Sequence, residues 1–175
     1  KFKSIMRNHD LYAHAFYEAT APNQITEYIS LNIIVNLFES HPELGSTLLF
    51  DRSKFSVVKT QVLDDVSEHV KRFIAILVED GMIDQLSRIG SKIRDLLIDH
   101  ELWYICTIET AHEIDVHTYN KIKNIVSKFY LGHIEFNCVV NESLKSGYRI
   151  TINDTMIDLS IEGRIKEVVK EVTHG

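Results

Sequence analysis

Nothing in this sequence approaches the ~20 consecutive apolar residues that cross a bilayer, and no signal-peptide pattern opens it. Basic residues never gather into a block. Nineteen Lys and Arg stand against 25 Asp and Glu, a formal charge of −6. Divided at about residue 100, the balance is 11 basic to 14 acidic on one side and 8 to 11 on the other, so each half is −3. Nucleic-acid binding calls for a concentrated basic face, and this distribution disfavours it. Cysteine is nearly absent. Cys106 and Cys138 are the two in the chain, and without short spacing they make neither a disulfide framework nor a metal knuckle. A reducing, cytoplasmic-type compartment is expected, with both thiols in apolar strands as core residues rather than nucleophiles. The chain opens on Lys1 rather than Met, and a few residues are expected to be missing from its start.

Catalytic signatures are missing too. There is no glycine-rich phosphate loop, dinucleotide fingerprint or nucleophile elbow. Nine histidines invite a search for metal ligands, and His112-Glu113 followed by His117 comes nearest to a zinc-protease motif. That motif needs histidines four apart; a spacing of five turns them roughly 140° apart on a helix. They also straddle an expected strand-to-helix junction. Asp10, Asp64 and Asp65 read as solvated helical surface. No catalytic residue, cofactor or metal is expected.

What is present is periodicity. At 175 residues, 45% of them hydrophobic, the chain can bury a real core in one or two small domains. Ile5, Tyr12, Ala15, Phe16 and Ala19 recur at helical spacing over 4–20, and Pro22-Asn23 breaks the run. Residues 24–39 carry Ile25, Tyr28, Ile29, Ile33, Val35, Leu37 and Phe38, a helix apolar around most of its circumference and expected at the centre of a bundle. Pro42 suits a first helical position, starting a helix to about Leu49, and a weaker one covers 54–65. Val66, Val70, Phe73, Ile74 and Leu77 form a stripe ended by Asp80-Gly81. Met82, Leu86, Ile89, Ile93, Leu96 and Leu97 form the next.

Near residue 100 the period changes. Leu102 to Thr110 reads as a strand. Asp115 can cap a helix carrying Val116, Tyr119, Ile122, Val126 and Phe129, with Gly132 beyond its end. Ile134, Phe136, Cys138 and Val140 alternate with polar residues as a half-buried strand. Tyr148, Ile150 and Ile152 form another, Asn153-Asp154 turns the chain toward Met156 and Ile157, and Ile161, Ile165, Val168, Val169 and Val172 give an amphipathic helix. The expected class is α+β: a six-helix bundle over 1–100, then a small α+β domain over 101–175.

The segment from Leu144 to Ile165 resembles the C-terminal signature of the ATP synthase delta (oligomycin-sensitivity-conferring) family. The matching positions are Leu144, Gly147, Ile150, Ile152, Asp154, Ile157, Asp158, Ser160, Gly163, Arg164 and Ile165. Ser146, Asn153 and Leu159 depart from it, standing where the family often has glycine. The N-terminal half is similar as well, in Tyr12-Ala13-His14-Ala15-Phe16, His41-Pro42-Glu43-Leu44 and Ile76-Leu77-Val78-Glu79-Asp80-Gly81-Met82. Most motif positions read as structural: Gly147 for close backbone approach at a strand, Ser160 as a helix cap, Asp158 satisfying backbone donors, and Arg164 paired with Asp158 or facing a partner.

The resemblance implies a non-catalytic stator of a bacterial F-type ATP synthase, peripheral to the cytoplasmic face of the inner membrane. The helical domain would grip the N-terminal helices of alpha subunits, and the C-terminal domain would meet the C-terminal ends of the b subunits. By the same analogy the receiving groove lies between the first helix and that spanning 67–80, with Tyr12, Ala15 and Ala19 on one wall and Arg72, Ile76 and Glu79 on the other. The competing reading for Tyr12 and Ile76 is core. The competing reading for the whole chain is a soluble helical-bundle regulatory adaptor, which accounts for the periodicities but not for the motif from Gly147 to Arg164.

Overall fold

The computed structural model of the chain describes residues 8–144 and 146–158, with Asp158 placed by its backbone. Two compact units divide it, Lys1–His100 and Glu101–Gly175.

Among the described residues, the first unit holds α1 (Asn8–Ala19), α2 (Gln24–Ser40), α3 (Pro42–Phe50), α4 (Phe55–Gln61), α5 (Glu68–Glu79) and α6 (Leu86–Asp99). Short 3-10 turns at Arg52–Lys54 and Ile83–Gln85 lead into α4 and α6. Local chemistry sets several boundaries. Pro42 occupies the first turn of α3, where its missing N–H is no loss. Asp51 accepts from the Ser53 N–H at 3.1 Å and caps the 3-10 turn before α4; α4 itself ends at Gln61, short of the expected 65. Ser67 accepts from the Val70 N–H at 3.2 Å and caps α5. Past the other end of α5, Gly81 takes a left-handed φ of 70°, which costs a residue without Cβ little. Arg52 donates to the Glu79 carbonyl at 2.7 Å, placing a cation where the helix dipole is negative.

The core of this unit is built from the stripes. Val70, Phe73, Ile74 and Leu77 of α5 and Leu86, Ile89, Ile93 and Leu97 of α6 are buried, together with Phe16, Tyr28, Leu31, Ile34, Val35 and Phe38. Gly90 lets α6 come close to α2, since a Cβ there would sit 3.1 Å from a Val35 methyl. Helix α2 departs from expectation. It is not enclosed: Ile29 and Ile33 are exposed, Ile33 by 61%. Its neighbours cover the side bearing Tyr28, Leu31, Val35 and Phe38, and the apolar residues behind that side remain in contact with water.

The second unit has β1 (Trp103–Thr110), α7 (Val116–Phe129), β2 (His133–Val140), β3 (Tyr148–Ile152) and β4 (Thr155–Asp158). The strands form one sheet in the order β2-β1-β3-β4. Parallel pairing of β1 with β2 requires a crossover, which α7 supplies. The remaining pairs are antiparallel. Asp115 caps α7, accepting from the Thr118 N–H at 2.9 Å. One sheet face carries Cys106, Ile108, Ile150 and Ile152, packed beneath Ile122 and Val126 of α7. The other carries Glu109 and Arg149, an ion pair at 3.3 Å.

Four expectations are corrected here. Cys138 is exposed while Cys106 is buried. Cys138 lies level with the buried Ile108, but on β2, the first strand in the sheet order, which has β1 as its one neighbour among the described strands. Within α7, Val116 and Phe129 are exposed rather than core, Phe129 by 77%. Gly132 is not a left-handed helix cap: a Cβ there would meet the Leu102 carbonyl oxygen at 2.5 Å, so the position is a close backbone approach. Gly147 shows the reverse, a left-handed φ of 85° just before β3.

Candidate functional site

Helices α1 and α5 frame an apolar groove in the first unit. Tyr12, Ala15, Phe16, Ala19 and Thr20 line it from α1 and its end; His69, Arg72, Phe73 and Ile76 line it from α5. Its cause is side-chain size. Ala15 and Ala19 fill little space at the i, i+4 spacing of one helix face, whereas Phe16 and Phe73 are buried behind them with ring centroids 4.7 Å apart. Ile76 is 46% exposed, so it is not core. Tyr12 is half-buried, and its hydroxyl donates to Asp80 Oδ2 at 2.5 Å. That hydrogen bond raises the Tyr12 pKa above its ordinary value, with burial and the nearby Asp80 charge acting in the same direction.

Five of the six expected positions thus share one groove. Glu79 does not line it; it is exposed at the end of α5. Sequence reasoning missed His69, although it stands three residues before Arg72 and seven before Ile76, on the same helical face. Its Nδ1 lies 3.4 Å from Glu27 Oε1. Glu27 also accepts from the Ser67 hydroxyl, so the cap of α5 and the rim of the groove share one carboxylate.

In the second unit the described part of the motif lies in the sheet and the turns that join it. Leu144 is buried. Asn153 takes a φ of 48° in the β3–β4 turn, a conformation asparagine tolerates better than most residues. Its side-chain oxygen accepts from the Ile105 N–H at 2.9 Å, joining the turn to β1. Asp154 is exposed in the same turn. Asp158 pairs through its backbone position with Arg149. The expectations for the Asp158 side chain, Ser160, Gly163, Arg164 and the helix through Val172 fall outside the described residues, as does the part of the first expected helix before Asn8.

Among the described residues, no group of three or more His, Cys, Asp or Glu could hold a metal ion, and no helix is long and apolar enough to cross a membrane.

The family model for the ATP synthase delta (OSCP) subunit matches residues 9–172. The chain therefore belongs to the ATP synthase delta (OSCP) subunit family. It is 23% identical over 172 residues to the ATP synthase subunit delta of Natranaerobius thermophilus, covering 93% of this chain and 95% of that one. Identity to the subunit delta of Trichodesmium erythraeum is 22% over 164 residues, covering 90% of each chain. Among solved structures, a chain of the Toxoplasma gondii mitochondrial ATP synthase hexamer superposes with a TM-score of 0.62 at 15% identity, covering 96% of this chain and 98% of that chain. That likeness is one of fold.

Proposed function

We infer that this chain is the non-catalytic peripheral-stalk subunit of an F-type ATP synthase, which joins the catalytic head to the membrane sector and resists the torque of the rotor. Family membership over residues 9–172 is the observation that carries this reading. A stator needs no reacting group. Its work is binding, at both ends, tightly enough that the head does not turn with the shaft.

The division of labour is our proposal. Residues 1–100 act as a six-helix bundle that grips the head, and residues 101–175 meet the C-terminal ends of the b subunits. The α1–α5 groove receives the N-terminal helix of an alpha subunit. Its shape supports this: an amphipathic helix places apolar side chains at i, i+3, i+4 and i+7 into such a channel, and Ala15 and Ala19 let its backbone come close. The half-exposed Ile76 and the aromatic floor of Phe16 and Phe73 supply apolar contact, while Arg72 and His69 offer polar contacts from α5. The setting is the cytoplasmic face of a bacterial plasma membrane, reached through the complex. Affinity capture with the tagged chain tests the reading: alpha and beta subunits of the synthase should be recovered together. Capture of other proteins with neither of these would favour the adaptor reading.

A further inference from the structure

Charge is spread unevenly along the α1–α5 groove. The two helices run antiparallel: the Tyr12 hydroxyl reaches Asp80 at the end of α5, and one turn further along α1 the Phe16 ring meets Phe73. Ala19 and Thr20 therefore lie toward the start of α5, where His69 and Arg72 line the groove. Along α5 and its cap, Arg72, Ile76 and Asp80 follow at intervals of four, on one helical face. At 1.5 Å per residue, Arg72 and Asp80 stand about 12 Å apart along the axis, with apolar Phe73 and Ile76 between them. The cation has no partner at its own end. Arg72 is exposed, and no carboxylate among the described residues forms an ion pair with it. Glu68 is held by Lys71, Oε1 to Nζ 3.2 Å; Glu27 takes the Ser67 hydroxyl and faces His69; Glu18 of α1 does not line the groove. At the opposite end Asp80 accepts from Tyr12, a neutral donor that leaves the carboxylate charge in place, and Glu79 beside it is exposed. Arg52, the cation nearby, is turned to the Glu79 carbonyl oxygen.

We propose that the groove selects its helix by charge polarity as well as by apolar fit. The occupant is an amphipathic helix that sets a carboxylate over Arg72 and a lysine or arginine over Asp80, and it runs in the direction of α5. This rests on the reading of the groove as a helix-binding channel. An acid and a base seven residues apart share one helical face and stand about 10.5 Å apart along its axis, a separation that matches the two groove charges. Direction follows from the same charges. Acidic side chains stabilise the first turn of a helix and basic ones the last, so a helix stable by itself carries its acids at the N-terminal end. Laid with that end over Arg72, it meets both groove charges favourably. Turned round, it sets acid against Asp80 and base against Arg72, and like charges juxtaposed in a contact oppose binding. The macrodipole acts in the other sense, but at roughly half a unit charge per end it is outweighed by a full carboxylate.

Two synthetic helical peptides of one composition, about 16 residues long and blocked at both termini, test this. Both carry leucine at i, i+3, i+4 and i+7; one has glutamate in its first turns and lysine in its last, the other the reverse. Each is titrated against the full-length chain and against Arg72→Glu. The parent should bind the glutamate-first peptide about tenfold more tightly than the lysine-first one, and Arg72→Glu should abolish or reverse that ratio. Near 1 M salt, where the Debye length is about 3 Å, the parent's preference should disappear. Comparing one peptide on two proteins removes any difference in the peptides' own helicity. Arg72 is exposed, so its replacement leaves the core intact, and the circular-dichroism melt of the variant verifies it. Equal affinity of the parent for both peptides, or a ratio that Arg72→Glu leaves unchanged, would overturn the charge rule while leaving the groove a binding site. Binding of neither peptide would overturn the groove reading and this proposal together.

Discussion

At the scale of single residues, Ile76 decides the most. It lies four residues after Arg72 on α5, turned from the stripe of Val70, Phe73, Ile74 and Leu77, and it stays half-exposed where a core residue would not. Losing a buried isoleucine contact at an interface costs about 2 kcal/mol, and burying an unpaired carboxylate there adds a similar amount. Ile76→Asp should therefore weaken binding of a peptide matching the alpha N-terminus on the order of a thousandfold, with a melting temperature within a few degrees of the parent. Titration calorimetry beside thermal melting checks it; a folded variant of undiminished affinity would remove Ile76 from the groove's function. The two thiols give a second residue-scale outcome. Burial pushes the Cys106 thiol up to about 11, reinforced by Cys138 nearby, and the thiolate is the reactive form. At pH 8 a maleimide should modify Cys138 alone in native protein and both cysteines in denaturant. Rapid double labelling of native protein would contradict the buried placement of Cys106.

At the scale of elements, caps carry clear consequences. Ser67 holds the first turn of α5 and also donates to Glu27, which faces His69. Ser67→Ala should cost about 1 kcal/mol, a fall of roughly 4–8 °C for a domain of this size, read from the melt of a fragment ending at His100. The Tyr12–Asp80 bond ties α1 to the end of α5. Because the Tyr12 pKa is raised in the fold, its contribution is fully present below the ordinary tyrosine range and is lost as pH rises through the folded value. Tyr12→Phe should remove that alkaline loss, and matching pH–stability curves above pH 10 for parent and variant would contradict it.

Elements were also where the sequence was most legible. The stripes of α5 and α6 could be read because long helices with one apolar face announce themselves, and Asp115 and Pro42 mark helix starts by mechanism. Exposure was harder to read. Ile33, Val116, Phe129 and Cys138 have the residue types and spacing of core positions, but whether a neighbour covers them is a property of tertiary packing that periodicity does not encode. Gly132 and Gly147 exchanged their expected roles for a related reason: a glycine signals freedom from Cβ, and the surrounding chain decides whether that freedom serves a contact or a φ. In the groove, His69 was legible from its spacing to Arg72 and Ile76 along α5.

For the whole molecule, the two compact units imply separable behaviour. A fragment of residues 1–100 should fold alone, with a helical circular-dichroism spectrum and a cooperative melt, and should retain whatever affinity the full chain has for the alpha N-terminal peptide. A disordered fragment would contradict the proposed division. The complementary loss belongs to the other end. Deleting residues 160–175 should release the head from membranes while leaving the helical unit able to bind alpha, and full head retention would count against that assignment. Both outcomes depend on the same claim, that this chain is a tether between two partners and does no chemistry.

The most direct measurement of that claim is the amount of catalytic head held on washed membranes from cells lacking this chain. The stator account predicts that the membranes lose most of their head and its proton-coupled ATP hydrolysis, and that the purified chain restores both while hydrolysing no ATP itself. Membranes that keep their full complement of head, still coupled, without the chain would contradict it.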